Sequence, residues 1–68
     1  MPKLLAIASF FPMGTKREDI KEENIRAQVL WADDQETLYC MVDAFRKTVI
    51  IVEVEYYHRY GGEYVKGA

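Results

Sequence analysis

Residues 25–47, IRAQVLWADDQETLYCMVDAFRK, change their hydrophobic period in mid-course, and that change decides the fold class. At first Ile25, Ala27, Val29 and Trp31 alternate with Arg26, Gln28 and Leu30, the period of two expected for a half-buried strand. Beyond Ala32 the spacing becomes helical. Leu38, Met41, Val42 and Phe45 fall on one stripe, with Glu36, Cys40, Asp43 and Lys47 opposite. Asp33, three residues before Glu36, forms a capping pair at the junction. Acids crowd the first turn, and Arg46 and Lys47 occupy the last, which matches the helix dipole. A strand therefore runs directly into an amphipathic helix.

Residues 3–11 carry two alternating sets, Leu5/Ile7/Ser9/Phe11 and Leu4/Ala6/Ala8/Phe10. Both are largely apolar, as in a strand covered on both faces, and Pro12 and Gly14 end it. The charged stretch 15–24, TKREDIKEEN, offers only Ile20 to a core. Thr15 followed by Glu18 imitates a capping box, but the expected form is a solvated loop or hairpin tip. Residues 48–60, TVIIVEVEYYHRY, read as a long strand, with Ile50, Val52, Val54 and Tyr56 on one face and Val49, Ile51, Glu53, Glu55 and Tyr57 on the other. Gly61 and Gly62 supply the positive φ angles of a two-residue hairpin turn, and Glu63 to Lys66 returns as a short edge strand. The predicted fold is α+β: an antiparallel sheet of three to four strands with one amphipathic helix on one face, in the order β-β-α-β plus a short C-terminal hairpin strand.

A length of 68 residues, half of them apolar, with a net charge of −2, describes a single domain spanning residues 1–68. Nine aromatic residues and the modest charge exclude a disordered chain. Eleven acids against nine bases make a poor general binder of nucleic acid, whose phosphates demand clustered Lys and Arg. One cysteine cannot form an internal disulfide, and the Cys/His set for structural zinc is missing, so no metal or cofactor is expected and the compartment reads as cytoplasmic. The apolar run near the start is shorter than the roughly 20 residues a membrane span needs and lacks a small-x-small cleavage pattern, so it is read as a buried strand.

A domain of this length buries only roughly 60% of the surface its unfolded chain exposes. One helix covers one sheet face, yet Leu4 or Leu5, Phe10 or Phe11, Leu30, Val49 and Ile51 cannot all lie beneath it. Burying each such side chain is worth roughly 1.5 to 3 kcal/mol. The second face therefore predicts a covering neighbour, either a protein partner or a second copy in a homodimer. The competing expectation places the first strand at the sheet's centre, with the tyrosines merely flanking the core. Tyr56, Tyr57, Tyr60 and Tyr64 crowd the adjacent hairpin, and tyrosine is enriched at interface hot spots.

The chain offers little chemistry. Cys40 lies on the outer side of the helix and His58 far along the last long strand, so the two do not make a nucleophile and base pair. Asp33, Asp34, Glu36 and Asp43 could meet a basic partner surface, although capping accounts for the acids that open the helix. Candidate partner contacts are Glu36, Asp43, Tyr57, Tyr60 and Tyr64, and no catalytic residue is assigned. A weak nucleic-acid-binding module is an alternative, with Arg59 and Lys66 beside the tyrosines and Glu53, Glu55 and Glu63 opposing them.

Two families are similar in outline. The order strand, strand, Ala32-Asp33-Asp34-Gln35-Glu36-Thr37, amphipathic helix, strand resembles small phage-encoded β-β-α-β inhibitors, including phage inhibitors of host RNA polymerase and some anti-CRISPR proteins, over about residues 3–57. That resemblance implies a non-enzymatic viral or mobile-element protein that occludes a surface of a larger host machine in the host cytosol. The second resemblance is to the tautomerase family related to oxalocrotonate tautomerase. It rests on Met1-Pro2 ahead of a strand, on the Gly61-Gly62 hairpin, and on Val42-Asp43-Ala44 followed by Thr48-Val49. It implies an N-terminal proline base at Pro2, whose nitrogen Met1 acylates. In place of that family's Gly-Arg-Ser turn stands Gly14-Thr15-Lys16-Arg17, and its long helix would have to include residues 25–31.

Overall fold

The computed structural model describes residues 1–67. Among the described residues, four strands form one antiparallel sheet: β1 (Leu4–Pro12), β2 (Arg26–Ala32), β3 (Val49–Tyr60) and β4 (Glu63–Lys66). One helix, α1 (Gln35–Arg46), packs against it. The spatial order is β2-β1-β3-β4, so β1 is central and paired on both sides. Because β2 and β3 are each antiparallel to β1, they run in the same direction. Their connection must cross over β1, and α1 makes that crossing, lying across β1 and β2 more than β3.

Small residues let the helix approach. Ala6 and Ala8 on β1 are completely buried, and Leu38 and Val42 of α1 close over Ala6 and Ala32. Leu4, Leu30, Met41, Val54 and Tyr56 pack around this cluster. Phe10 and Phe45 meet edge to face at 5.1 Å near the other end. The helical stripe read from the sequence is thus the buried one.

At the helix start the cap is Asp34 rather than Asp33. Asp34 accepts hydrogen bonds from the Thr37 backbone N–H and hydroxyl, both at 2.8 Å. Asp33 instead accepts from the Lys3 backbone N–H at 3.2 Å, joining the end of β2 to the chain entering β1. Both aspartates fit the pattern, but only the geometry distinguishes a cap from an inter-strand tie.

A β-bulge revises the faces of β3. Ser9 pairs with Glu53, but the next residue, Phe10, pairs with Ile51, which leaves Val52 without a partner on β1. Cross-strand partners share a face. Ile51 and Val49 therefore lie on the helix side with Phe10 and Pro12, while Ile50 joins Phe11 on the helix-free side. This reverses the alternation read for residues 49–51. Leu30, expected outside the helix's reach, also lies under it.

Residues 13–25 form a connection with two short 3-10 turns, Arg17–Asp19 and Glu22–Asn24. Neither has a side-chain cap, so the Thr15–Glu18 capping box does not form. At the β3–β4 turn Gly61 has φ +61°, while Gly62 is outside the positive-φ region, contrary to the expectation for both glycines. The turn demands glycine at its first central position alone.

Candidate functional site

The helix-free face of the sheet is built from Leu5, Ile7, Ser9 and Phe11 of β1, flanked by Trp31, Val29 and Ala27 of β2 and by Tyr57, Glu55 and Glu53 of β3. Leu5 is 6% exposed although no second layer lies on this side among the described residues. Its cross-strand neighbours are Trp31 and Tyr57. The Trp31 ring meets Tyr64 of β4 at 5.9 Å, with the planes inclined by 62°. The Tyr64 hydroxyl donates to the Pro2 carbonyl at 2.6 Å, which holds the ring in position. Side chains from both edges of the sheet thus close over Leu5.

At the opposite end Phe11, 5% exposed, borders a cavity shared with Thr15, Asn24, Ile25 and Arg26, so the 13–25 connection folds back beside it. The two residues of this face most in need of cover are therefore sheltered by their own chain. Between them lies open ground: Ile7 and Val29 are half-buried, Ala27 is exposed, and Trp31 remains 46% exposed on its outer surface. Beside the tyrosines Lys66 forms an ion pair with Glu55 at 2.7 Å. The hydrogen bond to Glu55 raises the Lys66 pKa above its ordinary value.

The expected contact residues do not share one surface. Tyr57 and Tyr64 stand together on the helix-free face. Tyr60 lies on the other side at the hairpin tip, 68% exposed, with its ring 6.4 Å from His58. Glu36 and Asp43 are exposed on α1. Trp31 is absent from the expected set, yet it is the largest side chain on the face that carries Tyr57 and Tyr64. The available signal was its place in the Ala27/Val29/Trp31 alternation, read there as the buried side of a strand.

The helix side holds a second concavity. Because α1 leans toward β2, a cavity of about 350 Å³ opens between the helix and the β3–β4 edge. Leu38, Tyr39, Val54, Tyr56 and His58 line it. Tyr39 and Tyr56 meet edge to face at 5.2 Å, and Gln35 donates a 2.7 Å hydrogen bond to the Tyr39 hydroxyl. Burial, reinforced by Tyr39, pushes the Tyr56 phenol above its ordinary pKa. That direction keeps the phenol neutral to a higher pH than an ordinary tyrosine. Cys40 is exposed on α1 and does not line the cavity that holds His58. Among the described residues, no group of three or more His, Cys, Asp or Glu is placed to hold a metal ion. Among the described residues no helix is long and apolar enough to cross a membrane.

Comparison with protein-family models, curated proteins and solved structures gives no match to this chain.

Proposed function

We propose that this chain is a non-enzymatic protein-binding protein and that it engages its partner through the helix-free face around Trp31, Tyr57 and Tyr64. The observation that carries the reading is the open ground on this face, where Ile7 and Val29 are half-buried, Ala27 is exposed and Trp31 is 46% exposed, and the total surface is also large. The chain exposes 4984 Å², whereas a compact monomer of this mass exposes about 4400 Å². The excess is about 600 Å² over the whole molecule.

Shape points the same way. The radius of gyration is 13.2 Å, against about 11 Å for a compact domain of this length, and the molecule measures 43 × 22 × 19 Å. The helix-free face combines half-open aromatic side chains with apolar ground at Ile7 and Val29, the composition favoured at the centre of interfaces. The resemblance to phage inhibitors adds a mode of action: occlusion of a surface on a larger host protein complex.

The test is affinity capture from lysate by tagged protein, read beside sedimentation of the pure chain. Trp31→Ala and Tyr57→Ala are expected to abolish capture of a specific partner, while Glu36→Lys and Asp43→Lys leave it intact. Capture lost only in the helix variants would refute this face as the contact. A partner-free chain that sediments as a dimer, broken by Trp31→Ala, would make the partner a second copy.

A further inference from the structure

Among the described residues the outer edge of β3 is only partly paired. β4 pairs only with residues 57–60 of that strand, and Gly67 extends the contact by one bond, its N–H donating to the Tyr56 carbonyl at 3.3 Å. Among the described residues nothing pairs with the outer edge of β3 over residues 49–55. Successive backbone groups of a strand point to alternate sides. The Arg59 N–H faces β1, bonding to the Lys3 carbonyl, and the Tyr56 carbonyl faces β4. By the same alternation, the N–H and C=O of Val54 point outward into the vacant lane.

This lane coincides with the cavity of about 350 Å³, whose walls include Glu53 and Val54 of the free edge, Gly67 at the end of β4, and Tyr39 of the helix. It has two chemically different sides. On the helix side lie Tyr39, Val54 and Tyr56, an apolar wall. On the helix-free side lie Glu55 and Glu53. Lys66, the last residue of β4, shows what suits that side, since it reaches Glu55 at 2.7 Å from the same lane. Glu53, two residues further along, is exposed and takes part in no ion pair among the described residues.

We propose that this lane binds an extended segment of a partner polypeptide, added as a strand to β3, with an apolar side chain against Tyr39 and Tyr56 and a Lys or Arg beside Glu53. Backbone hydrogen bonds to Val54 supply the pairing, and the alternation of apolar and basic residues supplies the selectivity. A segment of alternating acidic residues is rejected by Glu53 and Glu55. The lane borders the Trp31 face at Tyr57 and Glu55, but its backbone hydrogen bonds lie at Val54 on the sheet edge, so Trp31→Ala tests the face and Val54→Pro tests the lane.

The probe is the peptide acetyl-Lys-Val-Lys-Val-Lys-Val-amide, with acetyl-Glu-Val-Glu-Val-Glu-Val-amide as the comparison, followed by amide NMR and hydrogen exchange on the full chain. At 90% saturation the basic peptide is expected to slow exchange of the Val54 amide about tenfold, with no such effect from the acidic one. Val54→Pro removes the outward donor and abolishes binding. Glu53→Lys, a change at an exposed position, weakens the basic peptide about tenfold and admits the acidic one. The proposal is overturned if saturating basic peptide leaves the Val54 amide unprotected, or if both peptides bind alike and Glu53→Lys changes neither. It is also overturned if the peptide-free chain is a dimer with the Val54 amide already protected, because a second copy then fills the lane.

Discussion

Leu5→Ala measures whether the helix-free face is closed by its own chain. Leu5 is 6% exposed, nearly as buried as Leu38 at 2% beneath the helix. Truncating a buried leucine costs about 2 to 5 kcal/mol, the upper values belonging to sites that cannot collapse into the cavity. Trp31 is 46% exposed and free to settle inward, so Leu5→Ala belongs in the lower part of that range, about 2 to 3 kcal/mol. For a domain of this size that corresponds to a fall in Tm of roughly 10 to 20 °C. The assay is thermal and urea unfolding followed by circular dichroism at several protein concentrations, with Ile7→Ala as the half-buried comparison on the same face. Leu5→Ala is expected to cost the same at every concentration and more than Ile7→Ala. A loss below about 0.5 kcal/mol, within the range of ordinary surface substitutions, would refute the aromatic cover. So would a loss that appears only where the chain self-associates.

Three further outcomes follow from the geometry. The Thr37 backbone N–H, and after it the Thr37 hydroxyl, hold the Asp34 carboxyl below its ordinary pKa, so the cap's stabilisation is complete above about pH 4 and is lost as pH falls through the folded-state value. Asp34→Ala should therefore lower helix stability at neutral pH and flatten its acid dependence, read by far-UV circular dichroism. Burial, with Tyr39 second, raises the Tyr56 pKa, so stability is complete below about pH 10 and declines as pH climbs from there toward the folded-state value. Tyr56→Phe should remove part of that alkaline decline in pH-dependent urea unfolding. Gly61→Ala should destabilise by about 1 to 2 kcal/mol because an L residue is strained at φ +61°, while Gly62→Ala should be close to neutral, as measured by urea unfolding.

The proposed contact surface was half legible in the residues. The clustering of Tyr57 and Tyr64 near the hairpin followed from local order, because strands on either side of a two-residue turn must pair. Tyr60 could not be separated from them by composition, yet its position in the alternation sends it to the opposite side. Trp31 was hidden for a different reason. Its contact with Tyr64 spans β1 and β3, and no local pattern states which strands will lie between two others. The vacant lane beside β3 was equally out of reach, since an unpaired edge is a relation among strands and leaves no mark on the strand's own sequence.

Element types and their order were readable from local sequence alone. A period of two giving way to a helical period, acids before the helix and bases at its end, and a Gly-Gly turn are local signals whose energies act within a few residues. The tertiary structure decided which side of each strand became the core. Both alternating sets of β1 are apolar and would tolerate either orientation. The choice was made by the close approach of α1 over Ala6 and Ala8, and by the bulge at Val52 that turned Ile51 inward and Ile50 outward. The cover over Leu5 was likewise decided at long range. Tyr64, anchored to Pro2 at the other end of the chain, meets Trp31 over Leu5. Contacts between residues so distant in the chain depend on the assembled sheet, and no local preference encodes them.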